Sequence, residues 1–382
     1  MSDSIPMGLS HLAVAGYRSL QRITLPLAGL TVVAGANGCG KSNLYRSLGL
    51  IAAAARGDLV AALAAEGGLP AVFWAGPRPE ARRETARLRL GFAGQTLSYA
   101  MELGYRADDQ TSAFALDPEI KREWIWTGGP FHPRSLLVQR DGAVAERCSA
   151  AGAHPQPLAL QLTPHDSLFT AVSDPLEAPE VFQLRRTILS WRFYDGFRTD
   201  RDAPARHARL ATRTMALAND GGDLAAAVQT ILEIGDGDGL QAAVDDAFPG
   251  SRLEVDINQP RFRLLLRQPG LLRPLDASEL SDGTLRYLLL VAALFSPRLP
   301  PLLVLNEPEN SLHPDLLEPL ARLIAAAARR TQVWLIAHSD ALIYALADSE
   351  GCRLLRLARE QGATVLPGQS VLERAAWRWP QG

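Results

Sequence analysis

The sequence predicts an α/β fold with a parallel core sheet, a flanking antiparallel β-sheet and an inserted helical and β region. Three observations favour it. An apolar segment at 30–34 leads into a Gly-rich loop and then into a helical segment. Short strand-like segments separated by Gly, Pro and Asp run from 71 to 148, which is typical of a β-meander. From 284 onward, helical and strand patterns alternate, as they do in α/β cores.

The Gly-rich loop has the sequence of a complete phosphate-binding motif. Its strand–loop–helix setting is the context that this motif requires. Glycines let successive backbone N–H groups turn toward an anion, and the helix N-terminus adds partial positive charge. We expect Lys41 to reach the β- and γ-phosphates and Ser42 to meet Mg²⁺. Lys41 and Lys121 are the only lysines of the chain, so composition alone does not explain a lysine here. The residues predicted to bind ATP are Gly35, Asn37, Gly38, Cys39, Gly40, Lys41, Ser42 and Asn43.

A second motif, Asn306-Glu307-Pro308-Glu309, follows an apolar strand-like segment at 301–305. Acidic groups at the carboxyl end of a parallel strand are suited to holding Mg²⁺ and a lytic water beside a phosphate loop. Glu307 is the candidate general base or water-positioning residue, and a general base contributes about 10²–10⁴-fold in rate. Asn306 stands where an aspartate is expected to hold Mg²⁺ through a water. Because hydrogen bonds to charged groups contribute about 1.5–3 kcal/mol against about 1 for neutral ones, Asn306 predicts weaker Mg²⁺ affinity. A disabled ATPase that acts as a nucleotide-gated clamp remains the alternative.

Two further segments complete the predicted site. Ser281 and Gly283 open a long apolar helix, and a helix N-terminus binds anions. Since Lys41 already supplies one cradle for the γ-phosphate, this second anion site predicts contact with the nucleotide of another subunit. The apolar segment at 333–337 ends in His338, which we expect to donate to the γ-phosphate.

These motifs, in this order, resemble those of ABC-type ATPases. Tyr17-Arg18-Ser19 and Ser311-Leu312-His313-Pro314 narrow the resemblance to the RecF/SMC/OLD branch, and within it to the stand-alone AAA-family predicted ATPases of bacteria. The resemblance covers about 10–55 and 275–345, and extends weakly over 180–250. It implies an ABC-ATPase head, here without a coiled-coil arm because no heptad pattern is sustained.

The resemblance also implies a head-to-tail homodimer that encloses two ATP–Mg²⁺, because a two-fold interface pairs complementary sites twice. Arg18 joins the ATP-binding residues, and Gln161 is the candidate for the glutamine that senses Mg²⁺. Each site would combine Lys41, Ser42, Asn306, Glu307 and His338 of one subunit with Ser281 and Gly283 of the other.

The motif positions predict three parts: an N-terminal ATPase lobe at 1–150, an insertion at 151–275 and a C-terminal ATPase lobe at 276–382. Hydrophobic residues make up 47% and net charge is −2, which fits a globular protein. Three scattered cysteines and the lack of a signal-peptide pattern indicate a cytoplasmic location. Prolines interrupt the longest apolar stretch, at 287–305, so no membrane association is expected.

Two Arg-rich stretches favour DNA as a partner, since arginines neutralise backbone phosphates. The alternative is solvated surface in an Arg-rich chain. Action on DNA in repair or anti-phage defence is therefore the first hypothesis, and a nucleotide-gated scaffold for an effector protein is the second. The wide spacing between Ser42 and Ser281 argues against the third, a transporter ATPase subunit. The stretches contain Arg78, Arg82, Arg83, Arg87 and Arg89, and then Arg185, Arg186, Arg192, Arg198, Arg201, Arg206, Arg209 and Arg213.

Overall fold

The computed structural model describes residues 8–77, 86–106, 113–148, 154–257, 260–369 and 377–380. Within them, the α-helices are α1 Lys41–Arg56, α2 Leu59–Ala65, α3 Gly68–Val72, α4 Leu168–Ala171, α5 Pro179–Ser190, α6 Leu224–Ile234, α7 Gly237–Ala247, α8 Asp282–Leu294, α9 Leu317–Ala328 and α10 Asp340–Ala347. The strands are β1 Leu9–Tyr17, β2 Leu20–Pro26, β3 Leu30–Gly35, β4 Leu88–Gly94, β5 Leu97–Tyr105, β6 Pro118–Thr127, β7 Leu136–Asp141, β8 Val144–Arg147, β9 Gln156–Pro157, β10 Arg192–Asp195, β11 Arg209–Leu210, β12 Arg252–Asp256, β13 Arg261–Arg267, β14 Leu275–Asp276, β15 Leu302–Asn306, β16 Gln332–Ile336, β17 Cys352–Glu360 and β18 Ala363–Val365.

The chain divides into two compact units, each assembled from segments that are distant in sequence. Unit 1 comprises Met1–Ala28, Gly35–Trp191 and Leu355–Gly382, and unit 2 comprises Gly29–Ala34 and Arg192–Leu354. This grouping differs from the three contiguous parts expected at 1–150, 151–275 and 276–382. The reason is strand pairing, since β3 lies beside β16 and so joins a sheet made mostly from the second half of the chain.

Unit 1 is built on a long antiparallel sheet with the order β2-β1-β4-β5-β6-β7-β8-β9. From β4 onward each strand pairs with its successor, which is the meander predicted from the spacing of Gly, Pro and Asp. Every residue of β5 is buried, so its side chains pack on both faces of the sheet. Aromatic rings pack against one face of this sheet. The ring centroids of Phe92 and Trp191 are 5.4 Å apart, and those of Tyr99 and Phe169 are 4.7 Å apart.

Unit 2 contains a parallel sheet with the order β10-β15-β16-β3. Residues 302–305 and the whole of β16 are buried, as expected for parallel strands covered on both faces. The apolar faces of α6, α8 and α9 pack into the same core. Because the strands are parallel, Asp195, Asn306 and Ile336 come into register at one edge of the sheet.

A smaller antiparallel sheet of unit 2 pairs β12 with β13, and β13 with β11 and β14. The β12–β13 hairpin occurs where alternation at 252–257 and 261–267 predicts it. Among the described residues the longest helix is α1, with 16 residues, and none continues as a coiled-coil arm. The fold is therefore the predicted mixed α/β architecture with a flanking antiparallel sheet.

Candidate functional site

The phosphate-binding loop lies in unit 1, between the end of β3 and the start of α1. Gly40 caps α1 with φ of 105° and no side-chain hydrogen bond, so no capping group competes for an anion at this helix N-terminus. Lys41 is buried, and its Nζ donates to the carbonyls of Gly35 (2.5 Å) and Ala36 (3.1 Å). The ammonium group therefore lies within the loop, and Ser42 is exposed at its mouth.

A series of side-chain hydrogen bonds connects the phosphate-binding loop to neighbouring segments. Asn43 Nδ2 donates to Ser19 Oγ at 2.8 Å, and Ser19 Oγ lies 2.7 Å from Thr364 Oγ1. Thr364 Oγ1 in turn donates to the Cys39 carbonyl at 2.7 Å. A Cβ at Gly40 would stand 2.1 Å from Thr364 Oγ1, so only glycine allows this approach. Ser19 and Thr364 thus fix the loop, although the sequence motif contains neither.

Arg18, predicted to bind ATP, lies at the turn between β1 and β2 with φ of 47°. Its Nη2 donates to Glu66 Oε2 at 2.9 Å, and Tyr17 OH donates to the same oxygen at 2.5 Å. Burial raises the pKa of Tyr17 well above its usual value, and the hydrogen bond with Glu66 raises it further. Glu66 therefore holds Tyr17 and Arg18 together.

The acidic motif and His338 meet at the carboxyl edge of the parallel sheet in unit 2. Glu307 follows β15 with φ of 49°, and its N–H donates to the Ile336 carbonyl at 2.8 Å. His338 Nε2 lies 2.5 Å from Glu307 Oε1, and Asn310 Nδ2 donates to Glu307 Oε2 at 2.7 Å. A left-handed φ costs a non-glycine residue about 1–3 kcal/mol, so the surrounding contacts hold Glu307 in a strained backbone conformation.

Glu309 holds the segment that carries His338. Its buried Oε1 accepts hydrogen bonds from the backbone N–H of His338 at 2.5 Å and of Ser339 at 3.0 Å. The sequence motif contains Glu309 but does not indicate this role, since the two segments are far apart in the chain. The carboxylate fixes the backbone of His338, while Glu307 fixes its ring.

Asn306 has a charged neighbour that the sequence analysis did not identify. Its Nδ2 donates to Asp195 Oδ1 at 2.7 Å, from the adjacent strand β10. Its own Oδ1 is buried and accepts no hydrogen bond from any described residue. Such an oxygen can accept a hydrogen bond from a Mg²⁺-bound water, so the donor set here fits the metal predicted from the sequence.

Ser281 and Gly283, the predicted second anion site, lie at the start of α8 in unit 2. Ser281 is exposed and caps the helix by accepting from the Thr284 N–H at 3.2 Å. A Cβ at Gly283 would stand 2.7 Å from the Ser311 carbonyl oxygen, which ties the start of α8 to the segment after Glu307. The N-terminus of α8 is thus exposed and is capped by its own serine.

Arg206 organises the segment before α8, contrary to its expected place on a DNA-binding surface. It is 8% exposed, and its guanidinium donates to the carbonyls of Ala277 (3.0 Å) and Leu280 (2.7 Å) and to Asp282 Oδ1 (2.7 Å). A buried guanidinium with these partners does not reach a nucleic acid, so the sequence interpretation of this residue is wrong. Composition could not reveal its burial.

The remaining arginines of the two stretches divide into three groups. Arg78, Arg82 and Arg83 fall outside the described residues. Several are engaged within the protein, among them Arg87 and Arg89 with Glu102, Arg185 with the Ala55 carbonyl, Arg198 with Asp200, and Arg213 with Glu233. Exposed positions are retained by Arg186, Arg201 and Arg209.

Gln161 is exposed in a segment of unit 1 without regular secondary structure. The loop that follows it is fixed by Arg140, which donates to the carbonyls of Thr163 at 2.9 Å and of Asp166. Arg140 pairs at 3.2 Å with Glu123, and both side chains are buried. Gln161 thus precedes an ordered loop, and its metal-sensing role stays a prediction.

A family model described as "AAA domain, putative AbiEii toxin, Type IV TA system" matches residues 30–343. The chain belongs to this AAA family. No curated protein sequence matches this AAA-family chain.

Solved structures similar to this AAA-family protein are SMC head domains. A Pyrococcus furiosus Smc head with an extended coiled coil, bound to the C-terminal domain of ScpA, has a TM-score of 0.56 and 12% identity, and the match covers 97% of this chain and 98% of that one. An SMC head bound to the C-winged helix domain of ScpA has a TM-score of 0.54 and 13% identity, covering 96% and 99%. The protein therefore combines an AAA-family sequence with an SMC-head-like fold. None of its described helices is both long and apolar enough to cross a membrane.

Proposed function

We propose that this protein hydrolyses ATP with Mg²⁺ in a head-to-tail homodimer, and that it acts on DNA in repair or anti-phage defence. The observation that carries the proposal is the pairing of Glu307 with His338 at the carboxyl edge of the sheet that contains β3. Val33 is in register with Ile336, and the chain reaches Gly35 only two residues after Val33. The strand that leads into the phosphate loop therefore belongs to the same sheet as the strands that precede Glu307 and His338.

Each residue has a role set by its chemistry. Lys41 binds the β- and γ-phosphates as a fixed positive charge. Ser42 and Asn306 would hold Mg²⁺, which neutralises phosphate charge when bound, and Gln161 is a further candidate. Glu307 orients the attacking water and accepts its proton, and His338 donates a hydrogen bond to the γ-phosphate. Arg18 completes the nucleotide contacts.

Turnover tests hydrolysis directly. We expect Mg²⁺-dependent ATP hydrolysis by the purified protein and a loss of about 10²–10⁴-fold in Glu307→Gln, while nucleotide binding is retained. Asn310→Ala removes a neighbour of the same carboxylate without removing the base, and serves as the matched control. A wild-type rate no higher than that of Glu307→Gln contradicts the proposal.

The dimer proposal rests on the exposed Ser281 at the N-terminus of α8. Lys41→Ala removes the phosphate-binding lysine of one subunit, and Ser281→Arg blocks the anion site that contacts the nucleotide of the other subunit. A mixture of the two inactive proteins should regain activity, since mixed dimers contain one intact composite site. If the mixture stays inactive while both proteins remain folded, the site is not shared between subunits.

DNA contact is proposed through the exposed Arg201 and Arg209 of unit 2. Because each neutralised phosphate steepens the salt dependence of binding, we expect Arg201→Ala and Arg209→Ala each to weaken binding and to reduce the slope by about one. Arg213→Ala, whose guanidinium already pairs with Glu233, is the control. Absence of binding at low salt with ATP present contradicts this proposal.

The second candidate is a slow, nucleotide-gated scaffold for an effector protein in the cytoplasm. It is favoured by Asn306 and by the occupied carboxylate of Glu307, whose two oxygens contact His338 and Asn310. DNA-stimulated turnover separates the two candidates. A rate that rises with duplex DNA favours action on DNA, and a low rate that DNA leaves unchanged favours the scaffold.

A further inference from the structure

The metal position of this ATPase has a neutral amide beside a carboxylate from another strand. Asp195 ends β10 and Asn306 ends β15, and the two residues are in parallel register. The amide Nδ2 of Asn306 donates to Asp195 Oδ1 at 2.7 Å. Position 306 thus has an amide in place of the expected carboxylate, and this amide contacts the carboxylate of Asp195 on the adjacent strand.

The hydrogen bond also fixes which atom of Asn306 is available. Once Nδ2 is committed to Asp195, Oδ1 is the remaining polar atom, and it is buried without a hydrogen-bond partner among the described residues. An amide that donates to a carboxylate is polarised, which makes its oxygen a stronger acceptor. Oxygen atoms are the ligands that Mg²⁺ prefers, directly or through a bound water.

We propose that Asp195 supplies the negative charge of the Mg²⁺ site by acting through Asn306, and so offsets the loss of the expected aspartate. This inference rests on the proposed function, because it assigns a positioning residue to the same nucleotide site. It reverses the sequence prediction of weak Mg²⁺ affinity, since the charge is present one strand away. Asp195 is exposed, so its charge faces solvent rather than a hydrophobic core.

The test separates charge from shape. Asp195→Asn keeps the size of the side chain and an oxygen that can accept from Asn306, but removes the charge. The matched control is Asp200→Asn, which removes another exposed carboxylate of unit 2, one paired with Arg198. The probe is Mn²⁺ binding, measured by electron paramagnetic resonance in the presence of a non-hydrolysable ATP analogue. Analogue binding in EDTA is measured in parallel by calorimetry.

We expect Asp195→Asn to weaken Mn²⁺ binding at least tenfold, with analogue binding in EDTA unchanged and with no effect of Asp200→Asn. The exchange variant Asp195→Asn/Asn306→Asp carries the charge at position 306 and should restore wild-type Mn²⁺ affinity. This recovery also excludes misfolding as the cause of the first loss.

Two results overturn the inference in distinguishable ways. If the wild type binds the analogue and Mn²⁺, and Asp195→Asn binds Mn²⁺ equally well, Asp195 is a structural partner only and the proposed ATPase function stands. If the wild type binds no analogue with or without Mn²⁺, the proposed function fails and the inference fails with it.

Discussion

His338 Nε2 lies 2.5 Å from Glu307 Oε1, and this contact joins the ends of two parallel strands. Glu307 adopts a left-handed backbone conformation with φ of 49°, and Glu309 accepts hydrogen bonds from the N–H groups of His338 and Ser339. The pair is thus held from both sides. The carboxylate and the imidazole are thus oriented in the absence of a nucleotide, as the proposed hydrolysis requires of preorganised groups.

The Glu307–His338 contact predicts non-additive losses of activity. His338→Ala should lower kcat by about 10²-fold with little change in KM, since one donor to a developing charge contributes about that much. The double variant Glu307→Gln/His338→Ala should have nearly the same kcat as Glu307→Gln alone. When two residues act as a unit, removing the first already abolishes the contribution of the second. Steady-state kinetics of the four proteins measures this. Multiplicative losses would show that the two side chains act independently.

The buried Arg206 is predicted to stabilise both the fold and the segment 277–282 that leads into α8. Arg206→Ala removes the guanidinium that donates hydrogen bonds to several buried carbonyls. We expect the free energy of unfolding to fall by about 3 kcal/mol and ATP-dependent dimerisation to weaken. Arg206→Lys should recover little, because one ammonium cannot replace the planar fork. Thermal melting and sedimentation measure the two effects, with Arg213→Ala as the exposed control. Normal dimerisation by Arg206→Ala below its melting temperature would contradict this prediction.

Thr364 predicts that nucleotide affinity depends on β18. Thr364→Val keeps the shape but removes the hydrogen bond to the Cys39 carbonyl, so ATP affinity should fall about five- to tenfold. The control is Thr230→Val, which removes a buried hydroxyl bonded to the Ala226 carbonyl within helix α6. Calorimetric ATP titration distinguishes them. Equal ATP affinities in the two variants would show that the hydroxyl chain does not shape the loop.

Two glycines of α-helices predict opposite outcomes. Gly283→Ala places a Cβ 2.7 Å from the Ser311 carbonyl oxygen, so it should distort the start of α8 and weaken ATP-dependent dimerisation. Gly49→Ala, within α1, meets no atom within 4 Å and should stabilise the protein by about 0.5–1 kcal/mol. Denaturant unfolding and sedimentation measure these changes. Unaltered dimerisation by Gly283→Ala would contradict the role given to that contact.

Much of the fold could be predicted because its signals are local. The strand–loop–helix pattern around Lys41 locates β3 and α1, and the apolar segments before Asn306 and His338 locate β15 and β16. Helix and strand periodicity also predicts the β12–β13 hairpin within a residue. Each of these features is set by residues that are neighbours in the chain.

The rest depends on contacts between distant segments. Asp195 meets Asn306 only because β10 pairs with β15 in one particular register, and a single sequence does not specify that register. The burial of Arg206 likewise depends on how the segment at 277–282 folds over it. Thr364 reaches the phosphate loop from the other end of the chain. The one local signal is the asparagine at position 306, where an aspartate is expected.

Sedimentation velocity of Glu307→Gln, with and without ATP–Mg²⁺, tests the central claim most directly. This variant should bind ATP without hydrolysing it, so the account predicts a monomer that becomes a dimer only when ATP and Mg²⁺ are both present. Adding Ser281→Arg to the same chain should abolish that shift, since the second anion site is then blocked. A variant that binds ATP and sediments identically in all conditions would contradict the ATP-enclosing dimer.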